Sequence, residues 1–212
     1  MGKKAVLFLN GTPPPLALIE KHLKKVEYTL ACDGAANWLK DLELVPSAII
    51  GDFDSITDET KEFFSLVEMI EAPDQDKTDS QKALYFLKEQ GFTKVTVLGA
   101  MGGSIDHQLH HLSLLADPDL MDVKIQLVSE KEVVFRGRKQ MYLEGWIGRR
   151  ISLLPLFGEV KSVTSKGLKW DLEDVTFKMG ESLSISNKFA ATEVVINSSD
   201  GFFLVILQPM VM

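Results

Sequence analysis

Short apolar runs alternate with helical patterns over the first 128 residues, and this alternation limits the fold more than any other feature. Runs at 5–10, 28–32, 48–51, 66–70, 93–98 and 123–128 have the length and composition of buried strands. Helix signals lie between them, including three prolines at 13–15 and the capping residues Thr57 and Thr78. Strands separated by helices predict an α/β unit, a mostly parallel sheet with helices on both faces.

The pattern changes near residue 129. From there the chain shows only short runs of β-type residues, separated by turn residues such as Gly145, Gly158 and Gly180. Such spacing is typical of an all-β sandwich or a small barrel. We therefore predict two domains, an α/β domain at residues 1–130 and a C-terminal β-sandwich at residues 131–212.

Composition and charge exclude several classes of protein. The single cysteine, Cys32, allows no internal disulfide, which suits a reducing cytoplasm. No apolar run is long enough for a membrane span or a signal peptide. The net charge of −7 argues against duplex nucleic acid as a partner. Residues 33–79 carry −10 of this charge, so a phosphate would need a bridging cation to bind there.

Asp52 and Asp54 follow the apolar strand at 48–51. In extended backbone, positions i and i+2 point the same way, so both carboxylates should face one point beyond the strand. That is where open α/β sheets bind their ligands. Mg²⁺ is the natural occupant of such a pair, although a solvated acidic turn also fits so short a pattern.

Carboxylates also follow the neighbouring strands, and parallel strands end along one edge of a sheet. Turns and helix caps favour acidic residues individually, but this preference explains the full set poorly. The strand exits carry Asp33, then Asp52 and Asp54, then Asp74, Asp76 and Asp79, and finally Asp106.

Other polar residues have two interpretations each. Gly99-x-x-Gly102-Gly103 lies between a strand and a helix, where backbone N–H groups can bind a phosphate, or it is a plain tight turn. Lys82 could reach a phosphate or be solvated. His107, His110 and His111 could form a zinc site with Asp106, but we favour a packed or exposed helix position for His110.

In the second half, Trp170 could stack on a flat ring, and Ser186 and Asn187 could hydrogen-bond a heterocycle. The pattern alone favours Trp170 in the core and Ser186 with Asn187 in a turn.

Five motifs in this order resemble the thiamine pyrophosphokinase family. They are DGAAN at 33–37, GDFDS at 51–55, DQDKTDSQK at 74–82, GAMGGSIDH at 99–107 and GLKW at 167–170. The resemblance implies an α/β catalytic domain, a β-sandwich that binds thiamine, and a homodimer with the active site between subunits. It implies the reaction ATP + thiamine → AMP + thiamine diphosphate, with Mg²⁺ as cofactor.

The same resemblance implies roles for individual residues. Asp52, Asp54 and Asp79 would hold Mg²⁺, and Asp33 would lie close to the reacting centre, so that Asp33, Asp54 and Asp79 form the catalytic set. The nucleotide would lie along Gly102, Gly103, Asp106 and Lys82. Thiamine would lie near Gln75, Asp79, Trp170, Ser186 and Asn187.

Two positions depart from the family pattern, since Ser104 replaces a common arginine and His111 replaces an asparagine. Lys77, Lys82 or a second cation must then supply the missing charge, or the enzyme is slower or uses another nucleotide. Two other functions stay open. One is a metal-dependent phosphohydrolase or nucleotidyl-sugar transferase, and the other is a non-catalytic module that binds thiamine or nucleotide.

Overall fold

The computed structural model describes residues 2–24, 26–74, 76–156 and 158–210. The chain divides into two compact units, Met1–Glu130 and Lys131–Met212. The first unit is α/β and the second is all-β, so the predicted fold class is confirmed.

The first unit is built on a parallel sheet. Its strands are β1 (Lys3–Phe8), β2 (Tyr28–Cys32), β3 (Ala48–Gly51), β4 (Glu68–Glu71), β5 (Phe92–Leu98) and β6 (Lys124–Val128). Their order across the sheet is β6-β5-β1-β2-β3-β4. All of β3, the last four residues of β1 and the last three of β2 are buried, as expected for strands covered on both faces.

Helices connect these strands. They are α1 (Leu16–Leu23), α2 (Ala35–Asp41), α3 (Asp58–Phe63), α4 (Asp79–Glu89) and α5 (Ile105–Leu114). The Thr57 and Thr78 hydroxyls cap α3 and α4, as predicted, by accepting the N–H groups of Thr60 and Gln81. In the described part of the chain, no helix combines the length and the hydropathy that a membrane span needs.

The strand order reverses at β1. The chain builds outward from β1 to β4 and then crosses back to place β5 on the other side of β1. The rule that parallel crossovers are right-handed predicts α1, α2 and α3 on one face of the sheet and α4 and α5 on the other. The reversal opens a crevice at the carboxyl ends of β1 and β5. Here the Gly11 N–H donates to the Gly99 carbonyl oxygen at 2.8 Å, which joins the two loops that follow these strands.

The second unit contains two antiparallel sheets. Its strands are β7 (Val133–Arg136), β8 (Gln140–Glu144), β9 (Arg150–Leu154), β10 (Val160–Lys166), β11 (Val175–Phe177), β12 (Ser184–Lys188), β13 (Glu193–Asn197) and β14 (Leu204–Leu207). One sheet has the order β12-β9-β14-β7 and the other β11-β10-β13-β8. Side chains from both sheets, including Ile151, Val163, Phe177 and Val205, form one apolar core.

Candidate active site

Asp33 and Gly51 meet at the carboxyl ends of two adjacent strands. Asp33 directly follows β2, and its N–H donates to the carbonyl oxygen of Ile50 in β3 at 3.0 Å. A Cβ built on Gly51 would lie 2.8 Å from the Cβ of Asp33. Because real Cβ atoms do not approach so closely, this position requires glycine, and the close contact holds the exits of β2 and β3 together.

Asp52 and Asp54 are brought together by a tight turn. Strand β3 ends at Gly51, and Phe53 has a φ of 64°, a left-handed conformation that is strained for a bulky side chain. The Asp54 N–H donates to Oδ1 of Asp52 at 3.3 Å. The extended geometry expected from the sequence is therefore wrong, although the two carboxylates do meet.

Asp33, Asp52 and Asp54 each place a carboxylate oxygen within 4.8 Å of the other two. Within residues 2–24, 26–74, 76–156 and 158–210, no other three acidic, histidine or cysteine side chains are so grouped. Asp33 is 3% exposed, and its Oδ1 has no hydrogen-bond partner in the described structure. A buried oxygen without a donor is costly. A divalent cation with oxygen ligands would satisfy it, so these residues fit such an ion.

The electrostatics of Asp33 follow from this position. Burial is the main reason that the pKa of Asp33 rises from 3.8 to about 6, and the charges of Asp52, Asp79 and Asp54 add to the rise. The Ser55 N–H, which donates to Oδ2 at 3.3 Å, opposes it. Without a cation, Asp33 thus changes its charge near pH 6, and it is a better proton acceptor at neutral pH than an ordinary carboxylate.

Asp79 lies outside the three-carboxylate group. Its carboxylate forms an ion pair with Lys82 at 2.9 Å, and the Lys82 ammonium also donates to the Ala72 carbonyl oxygen at 2.8 Å. The Lys82 side chain is only 9% exposed, so it is held in place beside the carboxylates. Gln75, which the family resemblance assigns to thiamine, lies outside the described residues.

The glycine-rich loop lies across the crevice from β2 and β3. Gly102 has a φ of 85°, and a Cβ there would lie 2.0 Å from Oγ1 of Thr12, so the position requires glycine. Gly103 lines the cleft. Asp106 lies in the first turn of α5, where its Oδ1 accepts the N–H of His107 at 2.9 Å.

Three histidines of α5 face the same cleft. His110 Nε2 lies 2.7 Å from Oγ1 of Thr78, and His111 Nδ1 donates to the Ala100 carbonyl oxygen at 2.8 Å. Burial is the main cause that lowers the pKa of both His110 and His111, which favours their neutral forms at pH 7. In the described structure, Asp106, His107, His110 and His111 supply no three ligand atoms close enough together to hold one metal ion, so the zinc alternative gains no support.

The cleft between these loops has a volume of about 360 Å³. Predicted residues that line it are Asp33, Asp52, Asp79, Lys77, Lys82, Gly103, His107, His110 and His111. Asn10, Cys32, Thr78 and Gln108 also line the cleft and were not predicted from the sequence. Asn10 follows the exit of β1, so the rule that identified the acidic strand exits could have found it.

Asn37 has a supporting role that the motif alone does not reveal. Its Nδ2 donates to the Ser55 carbonyl oxygen at 2.9 Å, and its Oδ1 accepts the Thr57 N–H at 3.2 Å. The side chain on α2 therefore fixes the backbone just after the acidic turn.

In the second unit, the structure contradicts two expectations. Trp170 is 55% exposed in this chain and does not belong to the core, and the Lys169 ammonium lies 4.6 Å from its ring centroid. Ser186 and Asn187 lie in strand β12, not in a turn. Asn187 is buried, and its amide donates to the Trp170 carbonyl oxygen and accepts the Trp170 N–H. Because its polar atoms are occupied in this way, Asn187 supports Trp170, while Ser186 remains exposed.

Comparison with known proteins agrees with this geometry. The family model "Thiamin pyrophosphokinase, catalytic domain" matches residues 19–127. The model "Thiamin pyrophosphokinase, vitamin B1 binding domain" matches residues 138–203. Thiamin pyrophosphokinase 1 of Caenorhabditis elegans is 29% identical to this chain, and the alignment covers 92% of this chain and 85% of that protein. Thiamine pyrophosphokinase 1 of Oryza sativa subsp. japonica is 32% identical to this chain, and the alignment covers 72% of this chain and 62% of that protein.

Solved structures share the fold. The thiamine pyrophosphokinase of Bacillus subtilis aligns with a TM-score of 0.85 at 23% identity, covering 99% of this chain and 100% of that one. The yeast thiamin pyrophosphokinase aligns with a TM-score of 0.87 at 19% identity, covering 98% of this chain and 86% of that one. At these identities the solved structures show only that the fold is shared, whereas the family models and the relatives indicate common descent. Taken with the carboxylate-lined cleft and the exposed tryptophan, they show that the chain belongs to the thiamin pyrophosphokinase family.

Proposed function

We propose that this chain transfers the β,γ-diphosphate of ATP to the hydroxyl group of thiamine, giving thiamine diphosphate and AMP. The observation that carries this proposal is the group formed by Asp33, Asp52 and Asp54 at the carboxyl edge of the sheet, with an unpaired Asp33 oxygen inside it. Residues 1–130 would form the catalytic domain and residues 131–212 the thiamine-binding domain.

Asp52, Asp54 and Asp33 would hold Mg²⁺. When bound, Mg²⁺ would neutralise charge on the transferred phosphates. Asp79 is paired with Lys82, and we assign this pair to the phosphate side of the site rather than to the innermost metal ligands. The Lys82 ammonium would then stand in for the charge that Ser104 does not provide.

The nucleotide would lie along the loop that contains Gly102 and Gly103, near Asp106. The joined loops at 9–12 and 99–103 bring backbone groups to this edge, and glycine at 102 and 103 lets a phosphate approach them. The histidines of α5 would line the same region as neutral hydrogen-bonding groups.

Asp33 would orient the thiamine hydroxyl and accept its proton at a carboxylate oxygen. The pKa of about 6 describes the cation-free site and would fall when Mg²⁺ binds, so this role rests on the position of the carboxylate in the cleft rather than on its pKa. Gly51, Ser55 and Asn37 would keep Asp33 and the acidic turn in position.

Thiamine would contact Trp170, Ser186 and Gln75. An exposed indole offers a flat face to an aromatic cation. Because Trp170 is not buried within its own unit, we further propose a homodimer in which two chains complete each active site. The single cysteine supports a cytoplasmic location for it. Sedimentation velocity would test this, and a monomer at working concentration that is fully active would contradict it.

The test of the reaction is an incubation of the purified chain with ATP, Mg²⁺ and thiamine. We expect AMP and thiamine diphosphate in equal amounts, and neither product when thiamine is omitted. Release of phosphate without thiamine would favour a phosphohydrolase. Binding of thiamine by calorimetry with no AMP released would favour a non-catalytic module, and either result would overturn the proposal.

A further inference from the structure

Three lysines lie side by side at the end of the first unit's sheet that is remote from the candidate active site. Lys4 of β1 is in register with Lys94 of β5, and Lys94 is in register with Lys124 of β6. Residues in register on adjacent parallel strands point to the same face of the sheet, about 4.8 Å apart. These residues, here called the lysine row, therefore extend over roughly 10 Å.

The lysine row forms part of a cleft of about 630 Å³. Lys21, His22 and Lys24, at the carboxyl end of α1, also line this cleft. The handedness rule predicts no helix over β5 and β6 on the face of α1, and in the described structure Lys94, Lys124 and Gln126 are exposed. Thr96 and Gln126 also line the cleft on these two strands, two residues along from Lys94 and Lys124 and thus on the same face.

This arrangement costs energy when the cleft is empty. Like charges directly opposite each other destabilise a sheet. Among the residues that the structure describes, the five lysines of this cleft form no ion pair with a carboxylate, whereas Lys40 and Lys82 elsewhere do. The helix dipole explains basic residues at the end of α1, but it does not explain the lysine row on the strands.

His22 also lines this cleft beside Lys21. Burial lowers the pKa of His22, and the charge of Lys21 lowers it further. A concentration of unpaired positive charge is unexpected in a chain whose net charge is −7. An anion that contacts several lysines at once would remove the repulsion between them.

We propose that this cleft binds a small molecule that carries a diphosphate or triphosphate chain, at a site separate from the candidate active site. Lysine ammonium groups bind phosphates as point charges, and a row of roughly 10 Å can contact successive phosphates of one chain. The cleft has the size of a small-molecule site, and the acidic charge of the remaining chain disfavours nucleic acid. Binding here would occur whether or not the chain makes thiamine diphosphate.

The test is calorimetric titration of the full chain with inorganic tripolyphosphate and, separately, with ATP, both without divalent cations. The double variant Lys94→Gln/Lys124→Gln removes two members of the lysine row. The control Lys131→Gln/Lys139→Gln removes the same charge from exposed positions outside the cleft. We expect the first variant to bind tripolyphosphate about tenfold more weakly and the control to bind like the wild type.

The ATP titration identifies the source of the phosphate chain. Equal affinities for the two ligands would show that the phosphates alone are recognised, and tighter binding of ATP would add a nucleoside contact; both results agree with the proposal. No binding of tripolyphosphate to the wild type, or an equal loss in both double variants, would overturn it.

Thermal unfolding gives a second measurement. Without an anion, Lys94→Gln/Lys124→Gln should have a Tm no lower than the wild type, because it loses like-charge repulsion. Tripolyphosphate should raise the Tm of the wild type and the control more than that of the cleft variant. A cleft variant that melts earlier without the anion would mean that these lysines stabilise the fold, and would also overturn the proposal.

Discussion

The side-chain amide of Asn187 holds the backbone of Trp170 on both sides. Its Oδ1 accepts the Trp170 N–H at 3.2 Å, and its Nδ2 donates to the Trp170 carbonyl oxygen at 2.7 Å. Asn187 is 3% exposed, so water cannot easily replace these bonds. A buried amide 17 residues further along the chain therefore holds the backbone that carries the exposed indole.

Replacing Asn187 with alanine should loosen Trp170. We expect Asn187→Ala to lower the free energy of unfolding by about 1–3 kcal/mol, because buried backbone groups lose their partners. It should raise the KM for thiamine with little change in the KM for ATP. Steady-state kinetics and urea unfolding check both effects, with Asn197→Ala as a control in the same unit. Equal changes in the two KM values would contradict a role through Trp170.

Replacing Trp170 itself separates ring contact from folding. Trp170→Ala should raise the KM for thiamine about tenfold, as expected for the loss of roughly 1–2 kcal/mol of ring contact. Trp170→Phe should recover much of the affinity because it restores a flat ring. Since the side chain is exposed, both variants should unfold like the wild type. If neither variant changes the KM for thiamine, the ring has no part in binding.

Asp54 is expected to be essential to turnover. Asp54→Asn removes a negative ligand from the three-carboxylate group, so it should lower AMP formation by about a thousandfold or more and weaken Mn²⁺ binding measured by electron paramagnetic resonance. Circular dichroism should show an intact fold, and Asp200→Asn should behave like the wild type. Near-normal Mg²⁺-dependent turnover of purified Asp54→Asn would show that Asp54 is not a metal ligand.

Asp33 should lower stability at neutral pH when no cation is present. Its pKa of about 6 in the native chain lies above the ordinary value of 3.8. The native carboxyl thus binds its proton more tightly than the unfolded one, and stability falls as the pH rises from 3.8 to 6. Asp33→Asn cannot ionise, so at pH 7.5 it should be more stable than the wild type by about 1–3 kcal/mol.

The same comparison at pH 4 should show little of this gain, because the native Asp33 is then protonated. Urea unfolding in a chelator at both pH values measures the difference, with Asp200→Asn as the control. Activity should be lost even though stability is gained. A gain at pH 4 equal to that at pH 7.5 would mean that ionisation of Asp33 does not cause it.

Phe53 provides a test of the turn that joins Asp52 and Asp54. Asparagine accepts a left-handed conformation readily, whereas a β-branched residue does not. Phe53→Asn should therefore keep Mn²⁺ affinity, and Phe53→Val should weaken it by about tenfold, equivalent to roughly 1–2 kcal/mol of backbone strain. Both variants remove the aromatic ring, so each controls for its loss. Equal affinities in the two variants would show that the conformation of Phe53 does not set the carboxylate geometry.

The amino-acid sequence by itself determined the elements of the fold. Strands β2 and β3 and the caps Thr57 and Thr78 are found where the local pattern predicts them. Such features depend on hydrophobic periodicity and on hydrogen bonds between residues a few positions apart, so a single sequence contains the necessary information. The acidic strand exits were predictable for the same reason, because a parallel sheet brings all carboxyl ends to one edge.

Only the tertiary structure decided how these elements meet. The strand order that places β5 beside β1, the left-handed turn at Phe53 and the exposure of Trp170 were not predictable from local pattern. Strand pairing and burial involve residues far apart in the chain, and their energies depend on which surfaces come together. The sequence thus identifies the carboxylates of the site, but only the tertiary structure shows which three have oxygens within 4.8 Å of one another.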